Sequence, residues 1–239
     1  RAARRERDGR MQATLQEAAG SGKLVLEACD VAREFDGRSV VRDFSVRIMR
    51  GDRVGIIGPN GCGKSTLIRL MTGELAPSAG SLRRGTGLAI AYFDQQREQL
   101  DPTRSIADNV TGGSGDTVTV NGASRHVASY LRDFLFSSER LQAPVGMLSG
   151  GERNRLLLAR LFARPMNLLI MDEPTNDLDV DTLDMLEELI GEFQGTLLLV
   201  SHDRSFLDNV VTSTLVFEDG VINEYVGGHA DWLRQRRPP

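Results

Sequence analysis

Apolar positions along the chain follow two rhythms. "KLVLEACDV" (23–31) and "SVVRDFSVRI" (39–48) alternate apolar and polar residues around the turn "FDGR", which predicts two paired strands. "DRVGIIG" (52–58) and "GLAIAYFDQ" (87–95) are denser runs and predict buried strands. A helix is expected over 63–72. In "SRHVASYLRDFLF" (124–136), Val127, Tyr130, Leu131, Phe134 and Leu135 recur at i, i+3, i+4, i+7 and i+8, the spacing of an amphipathic helix. The stretch from about 97 to 147 is therefore expected to be helical and separate from the sheet. Within it, "TGGSGDTVTVNG" (111–122) reads as a loop-like insertion with a short hairpin at Asn121-Gly122. Beyond Gly151 the rhythms alternate: helix 151–163, strand 167–171, helix 180–193, strand 196–200, helix 203–209. Such alternation implies an α/β fold with a parallel sheet covered by helices. Residues 1–22 are polar, end in "GSG" and read as a linker.

Three of these junctions carry chemistry. "GPNGCGKST" (58–66) fits G-x-x-x-x-G-K-[ST], follows an apolar strand and opens a helix, the context this motif requires. Gly58, Gly61 and Gly63 let the loop, completed by Pro59, Asn60 and Cys62, turn its N–H groups toward phosphates. Lys64 is expected on the β- and γ-phosphates, Ser65 on Mg²⁺ and Thr66 on a further phosphate oxygen. "NLLIMDEP" places Asp172 at the end of a strand, where it should hold Mg²⁺ through water. Glu173 follows, as the group that orients or deprotonates an attacking water. "LSGGERNRLLLAR" (148–160) puts Ser149, Gly150 and Gly151 at the start of a helix, a second anion site by its dipole and open N–H groups.

Weaker candidates surround these. His202, ending the strand in "LLLVSHD", can touch a γ-phosphate or simply pack. Gln95 can bind Mg²⁺ or the attacking water, but Gln96 is equally suited by spacing. Phe35 is either an adenine-stacking face or a core residue. His126 and His229 are read as structural. Cys62, beside Lys64 at a helix N-terminus, is expected to have a lowered pKa if exposed.

Composition narrows the partners. The net charge of −4 gives no general affinity for nucleic acid, but residues 1–10 carry five Arg against Glu6 and Asp8. No apolar run approaches the roughly 20 residues of a membrane span, and no signal peptide is visible. Two cysteines, Cys62 inside the glycine-rich loop, fit a reducing cytosol. The start at Arg1 and the end at "RQRRPP" read as cuts from a longer protein.

"GPNGCGKST", "LSGGERNR", "LLIMDEPTNDLD" and "LVSHDRSFL", in this order, resemble the ATP-binding cassette ATPases from about residue 23 to 226. The resemblance implies a P-loop fold with a mostly parallel core sheet, an antiparallel β subdomain and a helical subdomain at about 97–150. It implies ATP and Mg²⁺ as ligands. Phe35 matches the adenine-stacking aromatic, Gln95 the Q-loop glutamine, Glu173 the catalytic glutamate, Asp179 the D-loop aspartate and His202 the switch histidine. Lys64, Glu173, His202 and Gln95 form the implied catalytic set. The signature, Ser149 to Glu152, implies a cap on the γ-phosphate of ATP held by another cassette. That explains two phosphate motifs in one chain.

Glu152, where transporter cassettes mostly have Gln, together with "DEPTNDLD" and "SHDRSFLD", resembles the ABC-F group, which has two cassettes and no membrane domain. "NGASRHVASYLRDFLF" and "EYVGGHADWLRQRR" resemble the second cassette of its Uup branch. Asp177 departs from the His of many ABC-F proteins. This resemblance implies an inter-cassette linker over 1–22, a cassette over 23–228 and the start of a C-terminal linker over 229–239. The implied partners are another cassette, and ribosomes or DNA. Two alternatives stand beside it. The ATPase subunit of a membrane transporter is disfavoured by Glu152 and the Arg-rich linker. A coiled-coil DNA-repair cassette is disfavoured because only 84 residues (148 − 64) separate Lys64 from Leu148.

Overall fold

The computed structural model describes residues 23–93, 100–113, 115–120, 123–176, 178–218 and 220–236. Strands β1 (Leu24–Phe35), β2 (Arg38–Met49) and β3 (Arg53–Ile57) lead to helix α1 (Lys64–Thr72), then β4 (Ala79–Arg84) and β5 (Ile90–Phe93). Helix α2 (Ile106–Thr111), β6 (Thr117–Val120), β7 (Ala123–His126) and α3 (Val127–Asp133) follow. The remainder alternates: α4 (Gly150–Phe162), β8 (Leu168–Asp172), α5 (Val180–Glu192), β9 (Thr196–Val200), α6 (Arg204–Val210), β10 (Ser213–Glu218), β11 (Val221–Val226) and α7 (His229–Gln235). These elements divide into two compact units.

The first unit holds described residues 23–52, Gly58–Leu88 and Leu215–Glu224. Its antiparallel sheet has the order β2-β1-β4. Phe35 pairs with Arg38, and the two residues between, Asp36 and Gly37, sit at φ 47 and 77. Positive φ at both central residues matches the twist of a two-residue hairpin, so "FDGR" turns as its sequence suggests. Val31, Val41, Phe44, Val46 and Ile48 are buried from this sheet, and α1 buries Leu67, Ile68, Leu70 and Met71. Arg84 on β4 donates to the carbonyls of Met71 (3.0 Å) and Leu70 (3.1 Å), satisfying acceptors that the end of α1 leaves open.

The second unit holds Arg53–Ile57, Ala89–Thr214 and residues from Tyr225 onward. Here β3, β9, β8 and β5 form a parallel sheet in that order. Strands adjacent in space but distant in sequence need crossover connections, and the helices supply them. "LLIM" and "TLLLV" are buried throughout, as strands covered on both faces must be. Leu156, Leu158 and Leu161 of α4, Leu186 and Ile190 of α5, and Phe206 and Leu207 of α6 close over them. The fold is thus the expected α/β class, with a parallel core sheet, a separate antiparallel sheet and a largely helical region.

Two expectations need correction. Residues 97–147 are not helical throughout: β6 and β7 form an antiparallel hairpin, with Val120 opposite Ala123. The turn expected at Asn121-Gly122 itself lies outside the described residues. The long helix over 124–136 is also shorter, because "ASRH" is spent on β7. His126 then caps α3, its Nδ1 accepting from Ala128 N at 3.2 Å. At the far end Leu135 adopts φ 63 and is 62 % exposed, so it leaves the apolar face that its spacing assigned it. What holds this region is Tyr130, whose hydroxyl donates to the Ala159 carbonyl of α4 at 2.7 Å.

Residues 229–235, expected to open a linker, form α7. Ala230 N donates to Asp208 Oδ1 at 2.9 Å, and buried His229 meets Trp232 edge to face at 5.2 Å. His229 is structural, as expected.

Candidate functional site

In the first unit, residues 58–66 curl around one ammonium group. Lys64 opens α1, and its Nζ donates to the carbonyls of Gly58 (2.8 Å) and Pro59 (3.2 Å). Glycine is required at two corners. A Cβ on Gly63, at φ 117, would lie 2.5 Å from Val40 Cγ1. One on Gly58 would lie 2.7 Å from Cys62 Sγ and 2.9 Å from Phe217 Cβ. Helix α1 starts with no side-chain cap and no acid in its first turn. Its N-terminus is therefore left to attract an external anion. Ser65 and Asn60 are exposed there, and Thr66 is half-buried.

The expectation for Cys62 is reversed. Its thiol is partly buried, and that burial pushes its pKa up, past the opposing pull of Lys64. A helix N-terminus and a nearby cation do not make a thiolate where the sulfur is packed against the loop.

Phe35 is 39 % exposed, with the Arg33 guanidinium 4.6 Å from its ring centroid. The core alternative is removed: this ring lies at the surface.

In the second unit, Asp172 ends β8, opposite Val200 of β9. Its Oδ2 accepts a hydrogen bond from the Tyr92 hydroxyl at 3.3 Å. Tyr92 was not legible as a site residue. It looks like one more apolar-strand aromatic, and only the pairing of β5 with β8 brings it there.

Glu173 continues the ladder by one bond, its N–H donating to Val200 O at 2.9 Å. It does so at φ 49, a left-handed conformation that costs a non-glycine residue about 1 kcal/mol or more. That twist carries its carboxylate toward the end of β9. Oε2 accepts from His202 N at 3.2 Å, and the buried Oε1 lies 3.3 Å from His202 Nε2. The structure therefore brings together two residues 29 positions apart that the sequence treated separately.

The signature forms a capping box. Ser149 Oγ accepts from Glu152 N at 3.3 Å, and Glu152 Oε2 accepts from Ser149 N at 2.9 Å. The Ser149 N–H, and the Arg140 guanidinium paired with the same carboxylate, hold Glu152 below the usual carboxyl range. The start of α4 thus carries a Glu152 carboxylate that is neutralised by its ion pair with Arg140. Ser149 and Gly150 are exposed, and nothing lies within 4 Å of where a Cβ of Gly150 would sit. Gly151 differs: a Cβ there would meet Asp179 Oδ2 at 2.7 Å. Asp179 caps α5 by accepting from Thr182 N at 2.8 Å, and Thr182 and Arg155 hold its carboxyl below the usual range. Gln95, Gln96 and Asp177 lie outside the described residues.

Among the described residues, no group of three or more His, Cys, Asp or Glu side chains could hold a metal ion unaided. The candidate donors, the Ser65 hydroxyl and the Asp172 carboxylate, are hard oxygens. That is the chemistry Mg²⁺ uses when it arrives with nucleotide phosphates and keeps water ligands. No helix among the described residues is long and apolar enough to cross a membrane.

Comparison with known families now decides the class: residues 41–176, more than half of the chain, match the family described as "ABC transporter". The chain belongs to that family. It is 55 % identical over 232 residues to "ATP-binding protein Uup" of Escherichia coli K12, covering 97 % of this chain and 36 % of that protein. It is 53 % identical over 234 residues to "ATP-binding protein Uup-like" of Haemophilus influenzae, covering 98 % of this chain and 51 % of that one. The cassette therefore spans about a third to a half of these relatives. In fold it resembles the structure of cbiO1 from Clostridium perfringens, described as part of the ABC transporter complex cbiONQ. The TM-score is 0.68 at 22 % identity, over 89 % of this chain and 92 % of that one.

Proposed function

We propose that this chain is the second cassette of a two-cassette ABC-F protein of the Uup branch. In this reading residues 1–22 are the end of the inter-cassette linker, 23–228 the cassette with its helical subdomain at about 97–150, and 229–239 the start of a C-terminal linker. It works in the cytoplasm, where ATP-driven pairing of cassettes changes the conformation of ribosomes or other nucleic-acid structures. The observation that carries the catalytic part is the Glu173–His202 pair at the carboxyl ends of β8 and β9. That is where a parallel sheet presents groups to a ligand.

The roles follow from the residues. The loop at 58–66 takes the triphosphate: Gly58, Pro59, Asn60, Gly61, Cys62 and Gly63 offer backbone, Lys64 offers charge and Thr66 a hydroxyl. Phe35 stacks on adenine. Ser65, Asp172 and Gln95 hold Mg²⁺, which neutralises charge on the phosphates when bound. Glu173 orients the attacking water and receives its proton, while the His202 N–H keeps that carboxylate in place. Ser149, Gly150, Gly151 and Glu152 face the γ-phosphate of a nucleotide on another cassette, in the full-length chain or in a second copy arranged head to tail.

Phe35→Ala is expected to weaken ATP binding several-fold while leaving inorganic triphosphate unchanged, because only adenine loses a stacking face. Equal losses in paired titrations would assign Phe35 a structural role. For the target, full-length protein carrying Glu173→Gln is expected to pellet with ribosomes through a sucrose cushion in ATP and to stay in the supernatant in ADP. A protein that never pellets would direct the proposal to another nucleic-acid structure.

A further inference from the structure

Parallel pairing sets Tyr92 on β5 level with Ile170 on β8. Side chains alternate along a strand, so Asp172, two residues beyond Ile170, projects from the same face as Tyr92. The phenol reaches along that face to the end of the neighbouring strand and donates to Asp172 Oδ2 at 3.3 Å, with both groups partly buried. The neighbouring buried positions, Phe93 and Met171, are apolar. A partly buried phenol needs a hydrogen-bond partner, and this carboxylate supplies one.

We propose that Tyr92 is a positioning residue for the metal-binding carboxylate, acting through Asp172 and touching neither nucleotide nor metal. The inference rests on the reading of Asp172 as the Mg²⁺-binding aspartate. A carboxylate at a strand end can rotate about its last bond. Anchoring Oδ2 to the phenol restrains the orientation in which the carboxylate meets a hydrated cation. Partners that fix a metal-binding side chain from behind are commonly worth on the order of 10-fold in metal affinity. Tyr92 also ties the carboxylate on β8 to β5, whose chain continues toward Gln95.

The test separates this role from general support of the fold. A non-hydrolysable ATP analogue is titrated into the protein with Mg²⁺ and again with EDTA, and the ratio of the two affinities is the gain conferred by the metal. Tyr92→Phe keeps the ring and removes the donor. It is expected to cut that gain by about 10-fold while leaving metal-free binding, which uses residues 58–66, unchanged. An unchanged gain would overturn the proposal. So would an equal loss in both titrations, which would make Tyr92 a packing residue. Asp172→Asn run alongside is expected to abolish the gain. If it keeps the wild-type gain, the assignment of Asp172 fails and the role of Tyr92 falls with it. If Asp172→Asn abolishes it and Tyr92→Phe does not, only the positioning role is lost. Mn²⁺ gives a second readout, since its electron paramagnetic resonance signal in the bound nucleotide complex is expected to broaden in Tyr92→Phe as the carboxylate gains freedom.

Discussion

Lys64→Ala is expected to abolish ATP hydrolysis and to lower ATP affinity by at least about 100-fold. Hydrogen bonds to charged groups contribute about 1.5–3 kcal/mol each, and the ammonium is placed to give two of them to phosphate oxygens. In the structure it donates to the Gly58 and Pro59 carbonyls, so the loop is folded around this cation. The alanine variant loses both the charge and the internal brace. Lys64→Met separates them in part, since it keeps the stem and removes the charge. Both variants should melt close to the wild-type temperature, because the buried face of α1 is made by Leu67, Ile68, Leu70 and Met71. Nucleotide titration, ATPase assay and thermal melting on the same preparations check this. Wild-type ATPase activity in Lys64→Ala would remove the P-loop assignment.

How much of this was legible in sequence depends on where the determining contacts lie. The strands β8 and β9 announce themselves because both faces are buried, so "LLIM" and "TLLLV" are unbroken apolar runs. The turn at Asp36-Gly37 is local chemistry and reads directly. By contrast, β4 is nearly all exposed, with Leu82 as its one aliphatic side chain beyond Ala79, and it exists because β1 supplies a backbone ladder. "ASRH" becomes β7 for the same reason: "TVTV" of β6 supplies an antiparallel ladder. Apolar spacing placed Leu135 on a helix face, but backbone conformation at a helix end is not written in that spacing.

The site divides along the same line. Residues 58–66 and Ser149 to Glu152 are contiguous motifs whose chemistry depends on local backbone, so they were visible at once. Glu173 and His202 were found separately. Their pairing depends on the β8–β9 register and on a left-handed turn at Glu173, neither of which a motif encodes. Tyr92 was missed because its role needs a third strand. For Cys62 the neighbours in sequence favour a lowered pKa only if the thiol is exposed, and its partial burial raises the pKa instead.

Glu173→Gln is expected to turn the isolated cassette from a monomer into an ATP-dependent head-to-tail dimer. The argument begins at the signature. Ser149 and Gly150 are exposed at the start of α4, a helix of 13 residues whose open N–H groups can face an anion supplied by another copy. If the loop at 58–66 of the same copy takes the triphosphate, two copies are expected to complete two sites by exchange. With wild-type Glu173, hydrolysis and loss of the γ-phosphate are then expected to release the pair. Glutamine keeps the size and the acceptor that His202 N reaches, but it cannot take the proton from water. The ATP state is then trapped. It also removes a negative charge that would lie near the γ-phosphate, which favours closure. Ser149→Arg is expected to abolish the dimer. It replaces a cap whose loss costs about 1 kcal/mol of helix stability with a bulky cation at the contact point, beside Glu152. Sedimentation of the Glu173→Gln protein in MgATP and in MgADP reads the result directly: dimer in the first, monomer in the second, and monomer in both once Ser149→Arg is added. A dimer that survives Ser149→Arg would place the contact elsewhere on the surface. A monomer in MgATP at every concentration would mean that this cassette pairs only with a different cassette, and the same sedimentation with that cassette added would then have to show the ATP-dependent complex. Specific activity that is high and independent of protein concentration would refute the shared site, since one copy would then hold every group the reaction needs.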